Sequence, residues 1–389
     1  MVSFWLNCSM FNKDTVFKQG SKAVVRGAIR LSILASMASK KILKILPCII
    51  AIGILFVVLF VPPGCQESVI HGAVTYPESH EAFSHPEQVD VRLIILTHNR
   101  YQSLQRTLNA LNFLELDGYS GHLDIFVDRN ERQELHLETV KVAESFTWSK
   151  GPSRVHLQDK HVGIYGQWVD SWRPPLDSNE LAIIIEDDIE VSPFAYRWLR
   201  QTHARYGHKD FISGYCLQDS NIRVTKGKNY NNELNRVEEE ILLGHPAYFF
   251  RVAGSWAFAP HPVTWRLFQD WFHSEAKKVK HPYVCGAKLN TDWYKVFEKQ
   301  HREDSMWTMW YIYFTDKHGL SALVSNIPQY TESNNSLVCN RLVAGLHYGP
   351  KREKFDCDKE LMKSWSDSFV ATEPNLPLIG YNGSLIGFR

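Results

Sequence analysis

Glu186, Asp187 and Asp188 stand in a row directly after the apolar run Leu181-Ala182-Ile183-Ile184-Ile185. Three adjacent carboxylates repel one another and resist burial, so a cluster at the end of a core strand calls for a compensating charge. In extended geometry Glu186 and Asp188 point to one side of the strand and Asp187 to the other. Oxygen ligands of this kind suit a hard divalent cation such as Mn²⁺ or Mg²⁺. A solvated acidic turn is the plain alternative. A second acid pair, Glu303-Asp304, lies in His301-Arg302-Glu303-Asp304-Ser305, just before an aromatic run from Met306 to Phe314. A carboxylate there can take a proton from an attacking hydroxyl, or it can cap the helix that follows. Asp292 is a third acid in the same region.

The elements that would carry these residues are legible from hydrophobic periodicity. Val91 to Leu96 (VRLIIL) suits a strand buried on both faces and ends at Thr97-His98-Asn99-Arg100. Leu104, Leu108, Leu111 and Leu114 then recur at helical spacing. His122 to Val127 is the next strand, ending at Asp128-Arg129-Asn130. A helix over 134–146, a strand over 154–157 and a helix carrying Trp168 and Trp172 after Val162-Gly163 follow. The strand before Glu186 comes next, and a helix entered at Ser192-Pro193, where Ser caps and Pro suits the first turn. Alternation of strand and helix predicts a mostly parallel central sheet with helices on both faces, a Rossmann-like α/β fold. Ligands of such sheets bind beyond the carboxyl ends of the strands, so the tips after Leu96, Val127, Leu157 and Ile185 are expected to converge on one crevice.

A strand ending in Thr-His-Asn-Arg, followed later by an apolar strand ending in Glu-Asp-Asp, resembles the GT-A class of nucleotide-sugar glycosyltransferases. The Glu-Asp-Asp form is similar to that of N-acetylglucosaminyltransferases acting on N-glycan mannose. The likeness is one of motifs and spans roughly residues 90 to 350. It implies a GT-A domain in which Asp188 ligates the metal and Glu186 and Asp187 hold ribose or donor sugar. Thr97, Arg100 and Asp128 would cradle the nucleoside, and Lys160 and Gly163 would approach ribose or phosphate. His347, in Leu346-His347-Tyr348-Gly349, would complete the metal site. The segment Arg251 to Pro260 resembles the one that passes under the donor sugar. Gly254 and Ser255 there lack bulk, which permits close approach, and Trp256 would stack on a sugar or fill the core. Asp304, with Glu303 as second choice, would be the catalytic base of an inverting transfer, ahead of Asp292.

Composition sets the frame for that chemistry. The chain has 389 residues, 44% apolar and 22% charged, with a formal net charge of +1, which is ordinary for a globular protein and gives no sign of a nucleic-acid partner. Aromatic residues reach 13%, with twelve Trp; they serve cores and also carbohydrate clefts. Residues 45–63, extended by Ile42 and Leu43, approach the ~20 apolar residues of a spanning helix. The basic flank before them, including Lys40, Lys41 and Lys44, places the N-terminus in the cytosol. The expected organisation is a cytoplasmic tail over 1–44, a signal-anchor over 45–63, a stem over 64–89 and the catalytic domain over 90–389. That is a single-pass type II protein of the Golgi membrane, or of the endoplasmic reticulum, with a lumenal domain. Of seven Cys, none shows zinc spacing; Cys339 and Cys357 are the lumenal pair nearest in sequence, and an odd lumenal count leaves one thiol free. Asn334 and Asn382 open glycosylation sequons.

The expected activity is therefore metal-dependent transfer of a sugar, N-acetylglucosamine by the resemblance, from a nucleotide-sugar (UDP-sugar favoured) to a glycan or glycoprotein. A catalytically silent, lectin-like domain of the same fold is the alternative. A nucleotidyltransferase fits less well, because Thr97 to Ser103 lacks the Gly-rich loop that holds a triphosphate.

Overall fold

The computed structural model describes residues 75–76, 85, 87–174, 179–218, 242, 244–327, 330–333, 336–339, 341–345 and 361–389. The described residues belong to one compact unit, Val69–Arg389. The expected tail and anchor lie outside the described residues. Among those described, no helix is long and apolar enough to cross a membrane.

The first half follows the predicted alternation: β1 (Val91–Thr97), α1 (Tyr101–Leu111), β2 (Gly121–Val127), α2 (Leu137–Ser145), β3 (Ser153–Leu157), α3 (Gly163–Asp170) and β4 (Leu181–Glu186). β1, β2 and β4 are buried along their whole length, as strands covered on both faces must be. β1 pairs in parallel with β2 and β4, and β2 with β3. The second half adds β5 (Ile189–Val191), α4 (Ala195–Tyr206), β6 (Ile212–Cys216), β7 (Ala247–Phe250), β8 (Phe258–Pro260), α5 (Pro262–Ser274), α6 (Lys288–Lys299), α7 (Trp307–Lys317), β9 (Ser321–Ser325), β10 (Tyr330–Ser333), β11 (Ser336–Cys339), β12 (Val343–Gly345), β13 (Pro377–Ile379) and β14 (Leu385–Phe388).

Among the described residues the central sheet has ten strands, in the order β14-β13-β7-β9-β6-β8-β4-β1-β2-β3. It is mixed: five neighbouring pairs are parallel, as expected of most of the sheet, and four are antiparallel. β8 runs against both β4 and β6, and β7 runs against β9. β7 and β8, joined by the loop 251–257, run in the same sense, and both oppose β4, β6 and β9. Helices do cover both faces. Leu104, Leu108 and Leu111 of α1, with Trp198 and Leu199 of α4, pack on one side. Trp168 of α3, Trp265 and Phe268 of α5, and Trp307 and Tyr311 of α7 pack on the other. Truncating any one of these buried Trp to Ala costs on the order of 3–5 kcal/mol.

One local expectation fails for a physical reason. The helix expected to enter at Ser192-Pro193 starts at Ala195, and its N-cap Phe194 makes no side-chain cap bond. β5 intervenes, and the Ser192 hydroxyl instead donates to Met362 O (3.2 Å) and accepts from Phe194 N (3.1 Å). The described end of the expected stem is fastened to the domain. Val89 N donates to Glu180 Oε2 at 3.2 Å, and His85 Nε2 lies 3.0 Å from Ser171 O. Beneath them Arg92, wholly buried, donates to Glu180 Oε1 and Asp124 Oδ2, both at 2.8 Å. His156, His122 and His85 stand 2.6, 3.2 and 3.3 Å from the Asp124 carboxylate. Burial would raise the Asp124 carboxyl, but hydrogen bonds from these histidines overcome it and hold the group well below the usual range. Cys216 is free and buried, Cys285 is in a disulfide, and Cys357 lies outside the described residues.

Candidate active site

β4 ends at Glu186, and Asp187 and Asp188 form the turn into β5, so one guanidinium reaches both aspartates that extended geometry was expected to set on opposite sides. Glu186 ends β4 on the α3 face, where Trp168 Nε1 donates to its Oε1 at 3.2 Å. Asp187 faces α1: Thr97 Oγ1 donates to its Oδ2 at 2.6 Å and Thr107 Oγ1 donates to its carbonyl at 3.0 Å. Asp187 N donates to Leu96 O at 3.1 Å, so the ladder to β1 persists to the tip. Arg100, at the N-cap of α1, reaches back across this tip. Its Nη2 pairs with Asp187 and its Nη1 donates to Asp188 Oδ2 at 2.7 Å. All three acids are at least 95% buried, whereas the Arg100 side chain keeps a quarter of its surface in solvent. Burial, and then the Asp188 charge, pushes the Glu186 carboxyl up to about 8. Burial likewise raises Asp187.

The tip of β2 lies against the tip of β1, with Asp128 N donating to Thr97 O at 2.9 Å. Asp128 spends both side-chain oxygens on the start of α3: Oδ1 accepts from Val162 N at 3.0 Å and Oδ2 from Gly163 N at 2.9 Å. His161 Nδ1 is a further 3.0 Å from Oδ2. Asp128 thus caps the start of α3 in this structure, and each of its oxygens keeps a further lone pair. Gly163 has φ +66°, a left-handed conformation that favours glycine. Lys160 is exposed beside it. Gln167, one turn into α3, donates to Thr97 O at 3.2 Å.

The second acid pair is joined to the first through stacked indoles. Trp168, bonded to Glu186, stacks on Trp307 with centroids 4.3 Å apart. Trp307 opens α7, and the 3-10 turn Glu303–Ser305 immediately precedes it. Tyr165 OH donates to Glu303 O at 2.7 Å, fixing that turn to α3. Glu303 and Asp304 are both exposed. Asp292 forms an i,i+4 pair with Lys288 on the surface of α6, the ordinary employment of a helix acid.

The loop 251–257 leads into β8, which pairs with β4 at Phe258 and Ile184. Gly254 N donates to the Cys216 thiol at 3.2 Å, and Ser255 is half-buried beside it. The Trp256 ring lies against Gly345, where an added Cβ would approach it to 2.8 Å; it packs on the core. Gly345 closes the β12–β5 ladder opposite Ile189, the residue after Asp188. His347 lies outside the described residues. Among the described residues no three His, Cys, Asp or Glu side chains gather as a metal-binding group. Asp187 Oδ1 and Asp188 Oδ1 are buried without a hydrogen bond; Arg100 pairs with the first, which leaves Asp188 Oδ1 as the atom that fits a cation.

The tips of β1, β2 and β4 thus meet around Thr97, Arg100, Asp128 and the acid triad, with Gly163 at the same rim. Sequence reasoning missed Thr107, Gln167 and Trp168, which hold the rim in place. The signal for Thr107 was a hydroxyl inside the apolar stripe of α1; Gln167 and Trp168 had none beyond their place one turn after Gly163.

No family model matches the chain, and no curated protein matches it. Among solved structures, Staphylococcus aureus TarS 1–349 in complex with UDP-GlcNAc is similar at 10% identity over 65% of this chain and 97% of that one, with a TM-score of 0.28. TarS 1–349 in a second crystal structure gives 9% identity over 65% and 96%, with a TM-score of 0.26.

Proposed function

We propose that the chain is a glycosyltransferase that moves a sugar from a nucleotide-sugar, a UDP-sugar by preference, to a glycan or glycoprotein acceptor. The observation that carries this reading is the joining of the β1 and β4 tips by Thr97, Arg100 and the buried acids at the carboxyl edge of the sheet, where α/β proteins take their ligands. Thr97, Arg100 and the backbone at Gly163 would line the nucleoside and phosphate side. Gly254 and Ser255 would admit the donor sugar closely. Asp188 would hold a divalent cation through Oδ1, with His347 as a further ligand; when bound, the cation neutralises the diphosphate leaving group. Asp304, or Glu303 beside it, would take the proton from the acceptor hydroxyl. The acceptor oxygen then bonds to the anomeric carbon as its bond to the diphosphate breaks, with inversion. A spanning helix at 45–63 would hold the enzyme in the Golgi membrane with its domain in the lumen.

The ion pairing of both aspartates by Arg100 favours a second reading, a domain that binds glycans and does not turn over. A donor screen separates the two: full-length protein in detergent micelles, Mn²⁺ and a panel of nucleotide-sugars, scored by released nucleotide. The expected result is turnover with one donor, lowered by about 100-fold or more in Asp188→Asn and Asp304→Asn. Glycan binding with no turnover on any donor would establish the silent domain, and full turnover in Asp188→Asn would remove that residue from the site.

A further inference from the structure

We infer that Arg100 is a built-in counter-ion that keeps the aspartate pair closed until a divalent cation and a nucleoside diphosphate arrive together. This regulation rests on the donor-binding reading above. The guanidinium bridges Asp187 and Asp188, with Nη1 2.7 Å from Asp188 Oδ2. Both carboxylates are sealed from solvent, while Arg100 is not. Buried carboxylates left without a partner are strongly disfavoured, so the pair holds Arg100 in the donor-free chain. Asp188 Oδ1 has no hydrogen bond, but it is buried, and Arg100 holds Oδ2, so a lone cation enters only by displacing the guanidinium. A diphosphate changes that competition. Its oxygens match the planar fork of an arginine, which offers the guanidinium a new partner as the cation takes the carboxylate. Arg100 precedes the first turn of α1 with φ −114° and ψ 59°, so its side chain can change partners without unwinding the helix. A ligand that binds the open arrangement better shifts the population toward it.

The test is Mn²⁺ binding, read by the electron paramagnetic resonance of free Mn²⁺, on the full-length protein with and without UDP. Wild type should hold Mn²⁺ weakly alone and tightly with UDP. Arg100→Gln should hold Mn²⁺ alone about tenfold more tightly than wild type, a coupling of ordinary size, and gain less from UDP. Arg100→Lys, whose single ammonium cannot bridge both carboxylates, should fall between; it decides the matter if the Gln variant does not fold. Variants that hold Mn²⁺ alone no better than wild type, while wild type responds to UDP, would overturn the closure and leave the donor site standing. Absence of Mn²⁺ binding in every protein, UDP included, would overturn the cation site itself and the closure with it.

Discussion

Full burial, then Asp188 and Asp187 beside it, oppose the ionisation of Glu186 and outweigh the Arg100 charge and the Trp168 indole N–H, which favour it. Its carboxyl rises to about 8, so the folded chain carries a proton there that the unfolded chain, near 4.3, gives up. Stability from this group is full below the unfolded value and is lost as the pH climbs through the folded one. Glu186→Gln keeps the size and an acceptor for Trp168 without the titration. The variant should melt close to wild type at pH 4 and several degrees above it at pH 8, by thermal denaturation followed by circular dichroism. A constant difference across that range would mean that the carboxyl ionises normally in place.

At the level of elements, the rim depends on α3, and α3 depends on Asp128. Asp128→Ala frees the Val162 and Gly163 amides at once and should cost about 1–2 kcal/mol in urea unfolding, with nucleotide affinity falling as the helix start frays. Asp128→Asn, which retains one acceptor, should lie between. Loss of nucleotide affinity at unchanged stability would mark Asp128 as a ligand contact and not a cap. The strands β1, β2 and β4 and the helices between them were legible because each is a strong pattern: continuous apolar runs, a 3- and 4-residue leucine stripe, glycine and proline at the breaks. The position of the acid triad followed from the strand before it. The partners of those acids did not. That Thr97 and Arg100 turn back onto Asp187 and Asp188, and that Asp128 turns onto α3, is decided by side chains meeting across strands far apart in the chain. The reversal of β8 was hidden for the same reason, since a three-residue strand carries almost no periodicity.

Over the whole molecule, the sheet is finished by its C-terminus. β13 pairs in parallel with β7, and Leu376 exchanges both backbone hydrogen bonds with Arg389 beyond β14. Leu378 and Ile379 are buried, whereas Leu385, Ile386 and Phe388 on β14 are exposed. Deleting residues 377–389 should therefore bare β7 as a hydrophobic edge and give aggregated protein on size-exclusion chromatography. Deleting 385–389 alone should leave a monodisperse one. Equal behaviour of the two truncations would mean that β13 does not seal the sheet.

The short ladder of β12 on β5 has a consequence for how the protein is made. Ile189 leaves the ribosome long before Gly345, its partner, and every residue between them must be synthesised before that ladder can zip. A nascent chain halted before β12 would carry the buried acids with their flank still open and nothing for Trp256 to lean on. Premature termination there should hand such chains to quality control, however well the first four strands have already paired.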